Sequence, residues 1–374
     1  MLALASTSSG STSSTATSSS AGAATYGTSA YYAYQSVATT PGATVTEASV
    51  MAVKVTKILG LVSAVTAEAS EAMRGNKETG VAGSAGGVKV AGSSGSQHRA
   101  SAWMRVSMGA IDNATSNQEW NGQSYLTMVG ADYKFNNTFC AGLGLSYSRL
   151  NARTEFNNGH MRENTYGVNP YLIIVPHKNF NFEFVGGYST SKSNDDRRWI
   201  TTKESSAGTT NVDETFKSSP KRKAMFGGVF ANLNNKVNKT SFNLQVGYIV
   251  MQSKVGAFNE RATDAKYAGN AVNTPSNTFK AQTATGKILV SYQMTPSVAP
   301  FVTLHGQYDV KKANPVGFTA GNQAGYVVNR SAFGGGAGFS IKNEDALSGS
   351  LQFDYTKRGQ LSTYVTGLRF HYGF

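Results

Sequence analysis

Cysteine is almost missing from this sequence: Cys140 is the only one in 374 residues. That excludes an internal disulfide and any Cys-rich metal site, and it suits an oxidising exterior. The five histidines (His98, His160, His177, His305, His371) never recur at i, i+2 or i+4, so no zinc-binding spacing is present. Charged residues are few, at 15%, and proline is scarce, at 8. No run reaches the ~18 apolar residues that a membrane-spanning helix needs. Nothing resembles a P-loop, so no nucleotide hydrolysis is read, and no cofactor is expected. The opening MLALASTSSG has neither a basic n-region nor an apolar core, so it is not read as a signal peptide.

What is present is glycine (40), tyrosine (18) and phenylalanine (19) on a background of Ser, Thr and Asn. A transmembrane β-barrel has this composition: aromatics for the interfacial belts, small residues for a crowded wall, polar residues for the bore. The stretch Tyr364–Phe374 alternates strictly. Tyr364, Leu368, Phe370, Tyr372 and Phe374 share one face, and Val365, Gly367, Arg369, His371 and Gly373 share the other. A period of two means a strand with one apolar and one wetter face.

Eleven further strands precede it, near Ala102–Ala110, Ser124–Lys134, Phe139–Leu150, Thr165–Val175, Phe180–Thr190, Ala224–Leu233, Ser241–Met251, Ala281–Met294, Pro300–Val310, Ser331–Ile341 and Leu347–Lys357. The facing of the sixth is ambiguous. Links after even-numbered strands are short, such as PHKN and NEDA. Links after strands 1, 3, 5, 7 and 9 are read as polar and about a dozen to thirty residues long. Short turns on one side and long loops on the other are the habit of outer-membrane barrels. The fold expected is all-β: a twelve-stranded antiparallel outer-membrane barrel with one preceding helix.

Four segments follow. Residues 1–43 are Ser/Thr/Gly-rich and bury too little to order themselves, a tether or passenger remnant. Residues 44–74 repeat Met51, Val55, Ile58, Leu59, Val62 and Val65 at helical spacing, with Lys54 and Lys57 between. Residues 75–100 read as a Gly/Ser-rich linker. Residues 101–374 form the barrel. A secreted barrel needs a signal peptide, so the chain is read as a C-terminal fragment.

Net charge is +13. The cations are scattered through loops rather than clustered on one helix, which argues against nucleic acid and for a basic rim facing anionic lipid headgroups. The alternation assigns Glu183, Gln245, Lys287, His305, Gln307, Asp309, Gln352, Asp354, Arg369 and His371 to the bore. There they can pair with one another or with whatever fills it. A phospholipase would need a serine within reach of a histidine; His305 is followed by Gly306 and Gln307 rather than by a serine two positions on, and His371 lies on a strand far from it in the order. A rim protease would use Asp195, Asp196 and His160, read here as loop residues. No enzyme is expected. A small anion channel with a basic lumen is the alternative reading.

The first strand, AWMRVSMG, is similar at Trp103, Arg105 and Val106 to the opening of autotransporter (type V secretion) translocator domains. The ending Gly367-Leu368-Arg369-Phe370 through Tyr372 to Phe374 resembles that family's outer-membrane assembly signal. Val365 stands where the signal has a large polar residue. The resemblance implies a barrel that anchors and helps export an N-terminal passenger. Its implied partners are lipopolysaccharide and outer-membrane lipid, the barrel-assembly machinery and periplasmic chaperones. It also implies a helix in the pore, for which residues 44–74 have the length; Lys54 and Lys57 would there meet Glu183, Asp309 or Asp354, near His305 and Arg369. No Asn-Asn pair lies in that helix, so no self-cleavage is expected.

Overall fold

The computed structural model describes residues 99–114, 119–155, 158–205, 208–271, 273–313, 329–342 and 347–374. Segments 1–43 and 44–74, with Lys54 and Lys57, lie outside the described residues, as does all but the end of 75–100. Twelve barrel strands are numbered in chain order: β1 Ala100–Asn113, β2 Trp120–Lys134, β3 Phe139–Thr154, β4 His160–His177, β5 Phe180–Ser205, β6 Lys221–Val237, β7 Thr240–Val255, β8 Asn277–Tyr292, β9 Val298–Ala313, β10 Ser331–Lys342, β11 Leu347–Arg358 and β12 Leu361–Gly373. Each pairs antiparallel with its neighbours, and β1 pairs with β12 from Ser101↔Gly373 to Asn113↔Leu361. The ring is closed, so no edge carries unpaired backbone groups into the membrane.

Alternation places side chains as the sequence reading expects. On β9, Val302, Leu304, Tyr308 and Val310 point outward and are exposed, while Thr303, Gln307 and Asp309 are buried inside. A tilted strand needs only about 9–11 residues to cross a bilayer; these have 12 or more, and most extra residues lie at the ends on the side where β5, β7 and β9 run into the long links 206–220, 256–276 and 314–330. We call these the outer ends. Paired tyrosines Tyr147–Tyr166 and Tyr355–Tyr364 stand on the outward face there, ring centroids 5.2 and 4.9 Å apart. Tyr133, Phe135, Tyr292, Tyr372 and Phe374 mark the inner ends. From Tyr364 to Tyr372 the strand rises ~27 Å, which a barrel tilt brings to ~20 Å along the normal, close to the apolar band of such barrels.

Three expectations are corrected. The links after β1 and β3 span only 114–119 and 155–159, because polar residues expected in loops extend the strands. The link after β5 is largely a hairpin: β5 runs on to Ser205 and pairs with an outer strand, Gly208–Ser218. His160, Asp195 and Asp196 therefore lie on strands, with His160 Nδ1 3.4 Å from Asp196 Oδ1. The facing of β6 is now settled: Arg222, Ala224, Phe230, Asn232 and Asn234 point inward, Met225, Val229 and Leu233 outward.

The interior also holds an apolar cluster that the expected polar bore did not include. Trp103, Met128, Cys140, Tyr171, Ile173, Val185, Phe230, Ile249 and Met251 pack together inside. Glycines make room for it. Trp103 lies opposite Gly130, Tyr171 opposite Gly142, and Phe230 opposite Gly247. A Cβ at any of the three glycines would come within 2.2 Å of the facing ring. The rings thus lie flat across the neighbouring strand instead of filling the bore.

Candidate functional site: the lumen wall

The lumen wall is the surface on which a bore-filling segment or a permeant would act. All ten residues assigned to it by alternation point inward, but the structure groups them into separate networks rather than one site. Asp309 on β9 accepts from Arg358 Nη1 at 2.7 Å and from Thr283 Oγ1 at 2.8 Å. Arg358 Nη2 also donates to Gln307 Oε1 at 2.9 Å. Glu183, fully buried on β5, accepts from Gln245 Nε2 at 3.3 Å, and the same nitrogen donates to Asn232 at 3.1 Å. His305 Nε2 lies 3.0 Å from Thr356 Oγ1 and 3.7 Å from Asp354 Oδ1. Lys287 is opposite His305 and Gln245 across its two seams. Arg369 faces Arg105 across the β1–β12 seam, and His371 faces Trp103.

Four features escaped the sequence reading. Glu163, read as a loop residue, lies buried on β4 and pairs with Arg222 Nη1 at 2.8 Å. Arg358, one residue past the expected end of its strand, holds Asp309. At the inner end, Trp103 Nε1 donates to Tyr171 Oη at 3.1 Å, Tyr171 donates to Asp132 Oδ2 at 2.9 Å, and Ser101 donates to Asp132 Oδ1. Trp103 and Tyr171 fall in the polar phase of their strands, and an aromatic in that phase opposite a glycine is the signal that could have found them. Above the rim, Arg197 makes a buried bidentate pair with Glu260 at 2.8 and 2.7 Å and stacks on Phe216 at 4.4 Å. This pair ties the outer hairpin to the 256–276 link. Nearby, the hydrogen bonds from Arg198 hold the exposed Asp213 carboxyl below the usual carboxylate range.

The Trp103–Tyr171–Asp132 hydrogen-bond chain makes a direct prediction. Gly142→Ala is expected to force the Tyr171 ring off its strand, weakening its bond to Asp132, and to cost about 1–3 kcal/mol. Urea unfolding of the refolded barrel in detergent, followed by tryptophan fluorescence, measures it. A neutral result would show that the ring moves freely.

Among the described residues, no group of three or more His, Cys, Asp or Glu is placed to hold a metal. A ring of twelve antiparallel strands, apolar and tyrosine-belted outside, with polar networks beside one apolar cluster inside, defines an outer-membrane β-barrel. The family model described as the autotransporter beta-domain matches residues 102–354, more than half of the chain, and the chain belongs to that family. The fold is similar to the translocator domain of the autotransporter NalP from Neisseria meningitidis, with TM-score 0.61 and 14% identity over 75% of this chain and 90% of that one. It is also similar to the beta domain of the Bordetella autotransporter BrkA, with TM-score 0.52 and 12% identity over 74% of this chain and all of that one. No curated protein matches. The barrel is an outer-membrane translocator domain for a passenger displayed at the bacterial surface.

Proposed function

We propose that residues 44–74 form a helix lodged in the bore, that residues 75–100 link it to β1, and that residues 1–43 tether an exported passenger. One observation supports this most. On the inner half of β5–β7, Asn181, Asn232, Asn234 and Asn243 point inward and are buried, and each has an amide atom without a hydrogen-bond partner among the described residues. Buried amides are normally satisfied, so this wall suits a polar segment running beside it. The expected contacts of Lys54 and Lys57 are the inward carboxylates Glu183, Asp309 and Asp354, with His305 and Arg369 nearby. Insertion would proceed through the barrel-assembly machinery after escort by periplasmic chaperones. Gly367, Phe370, Tyr372 and Phe374 would be the recognised signal; Phe370, Tyr372 and Phe374 all stand exposed on the outward face.

No catalytic role is proposed. Asp354 and Thr356 both approach Nε2 of His305. A nucleophile relay needs the orienting acid on one ring nitrogen and the nucleophile on the other.

Single-channel conductance in planar bilayers tests the reading. The full chain is expected to conduct weakly, and a truncation beginning at Ser101 to conduct strongly and steadily. Charge reversal at Lys54 and Lys57 is expected to raise the open fraction of the full chain. Equal, ion-selective conductance in all three forms would place residues 44–74 outside the bore and favour the channel.

A further inference from the structure

The outward wall of β5–β8 carries a dense group of cations just above the tyrosine belt. Lys192 on β5 lies directly opposite Lys221 on β6. Lys223, two residues further along β6, lies directly opposite Lys254 on β7. Lys280 on β8 stands opposite Gln252 of β7. All five side chains are exposed on the lipid-facing side. The other groups that face them across the seams are neutral: Asn164 opposite Lys192, Thr190 opposite Lys223, Thr278 opposite Lys254. The nearest carboxylate on this face, Asp196, is engaged by the His160 backbone N–H at 2.7 Å.

Two like-charged pairs set directly opposite each other in one sheet repel. A sequence with only 15% charged residues keeps both in one patch. The cost is offset if an anion bridges them. Height limits what that anion is. Lys223 lies across from Thr190, two residues above Tyr188 on the same face of β5, and Lys192 lies four residues above it. The ammonium groups therefore stand at and just above the interface, with their stems against the wall. Neighbouring strands are ~4.8 Å apart and alternate residues ~6.6 Å. The four opposed lysines cover roughly 10 by 7 Å, near the size of a phosphorylated sugar headgroup.

We infer that this patch is a docking site for the phosphorylated glycolipid of the outer leaflet, with Lys192, Lys221, Lys223 and Lys254 contacting its phosphates by charge-assisted hydrogen bonds. The inference rests on the outer-membrane placement of the barrel.

The test compares the full chain with a fourfold variant, Lys192→Gln, Lys221→Gln, Lys223→Gln and Lys254→Gln. Both are prepared in neutral detergent with EDTA, which removes bridging divalent cations. The probes are bisphosphorylated lipid A, dephosphorylated lipid A and phosphatidylglycerol, with binding read by native mass spectrometry and by the shift in melting temperature. The native chain is expected to bind bisphosphorylated lipid A at least tenfold more tightly than the other two lipids, and the variant to lose that preference. Without lipid the variant is expected to melt at the same or a higher temperature, because the repulsion is gone. Equal lipid A binding by both chains, or binding of phosphatidylglycerol as tight as that of lipid A, overturns the inference. Membrane fractionation separates the two levels. A folded, heat-modifiable barrel in the outer membrane without lysine-dependent lipid A binding sinks only the docking site; absence from that membrane sinks both.

Discussion

Replacing Arg358 with methionine is expected to lower the stability of the folded barrel by about 3–5 kcal/mol, because it leaves a buried carboxylate without its cation. Arg358 is buried, and it reaches from β11 to Asp309 and Gln307 on β9, past β10. Its Nη1 also lies 3.3 and 3.4 Å from the carbonyl oxygens of Asn329 and Arg330. One side chain therefore ties β11 to β9 and to the two residues that lead into β10. The effect should show as a lowered urea midpoint of the refolded barrel in detergent. Pairing the change with Asp309→Asn should recover much of the loss, since both members of the pair are then neutral. If the single variant unfolds at the native midpoint, water or another cation serves Asp309 and the bridge is not needed.

Leu304→Arg is expected to cost about 2–4 kcal/mol in bilayers. Leu304 is 67% exposed on the outward face, midway along β9, opposite Ile288 and Gly335. That position faces the middle of the apolar band. Val310→Arg, two residues beyond Tyr308, should cost only about 0–1 kcal/mol, because the cation there reaches headgroups. Folding of the two variants into vesicles, titrated with guanidinium, gives both values. Equal costs at the two positions would mean that the membrane does not sit between the two aromatic belts.

The alternation of apolar and polar residues made most of the wall legible. It works wherever lipid lies on one side and a wet bore on the other, so β9, β11 and β12 declared both faces. It fails on β6, where Phe226 and Phe230 point inward while Met225, Val229 and Leu233 point outward. Apolar residues on both faces erase the period. The glycines Gly187 and Gly247, directly opposite the two phenylalanines, are what admit them. The outer half of β5 fails for the opposite reason: beyond the membrane both faces meet water, and a polar strand looks like a polar loop. The bridges Glu163–Arg222 and Asp309–Arg358 join residues 59 and 49 apart. They depend on the register of intervening strands, which no local pattern encodes.

The pairing of β1 with β12 has a kinetic consequence. Eleven of the twelve seams join strands that follow one another, so each can form as a local hairpin. The twelfth brings Ser101 to Gly373, and it must wait for the rest. Chain-closure entropy rises with the length enclosed, and contacts between distant residues slow folding. The last step of assembly, and the first place for a strained barrel to unzip, is therefore this one seam. A chain cross-linked across it by a Val106→Cys, Leu368→Cys pair, with Cys140 replaced, would tell a closed ring from an open sheet by its mobility alone.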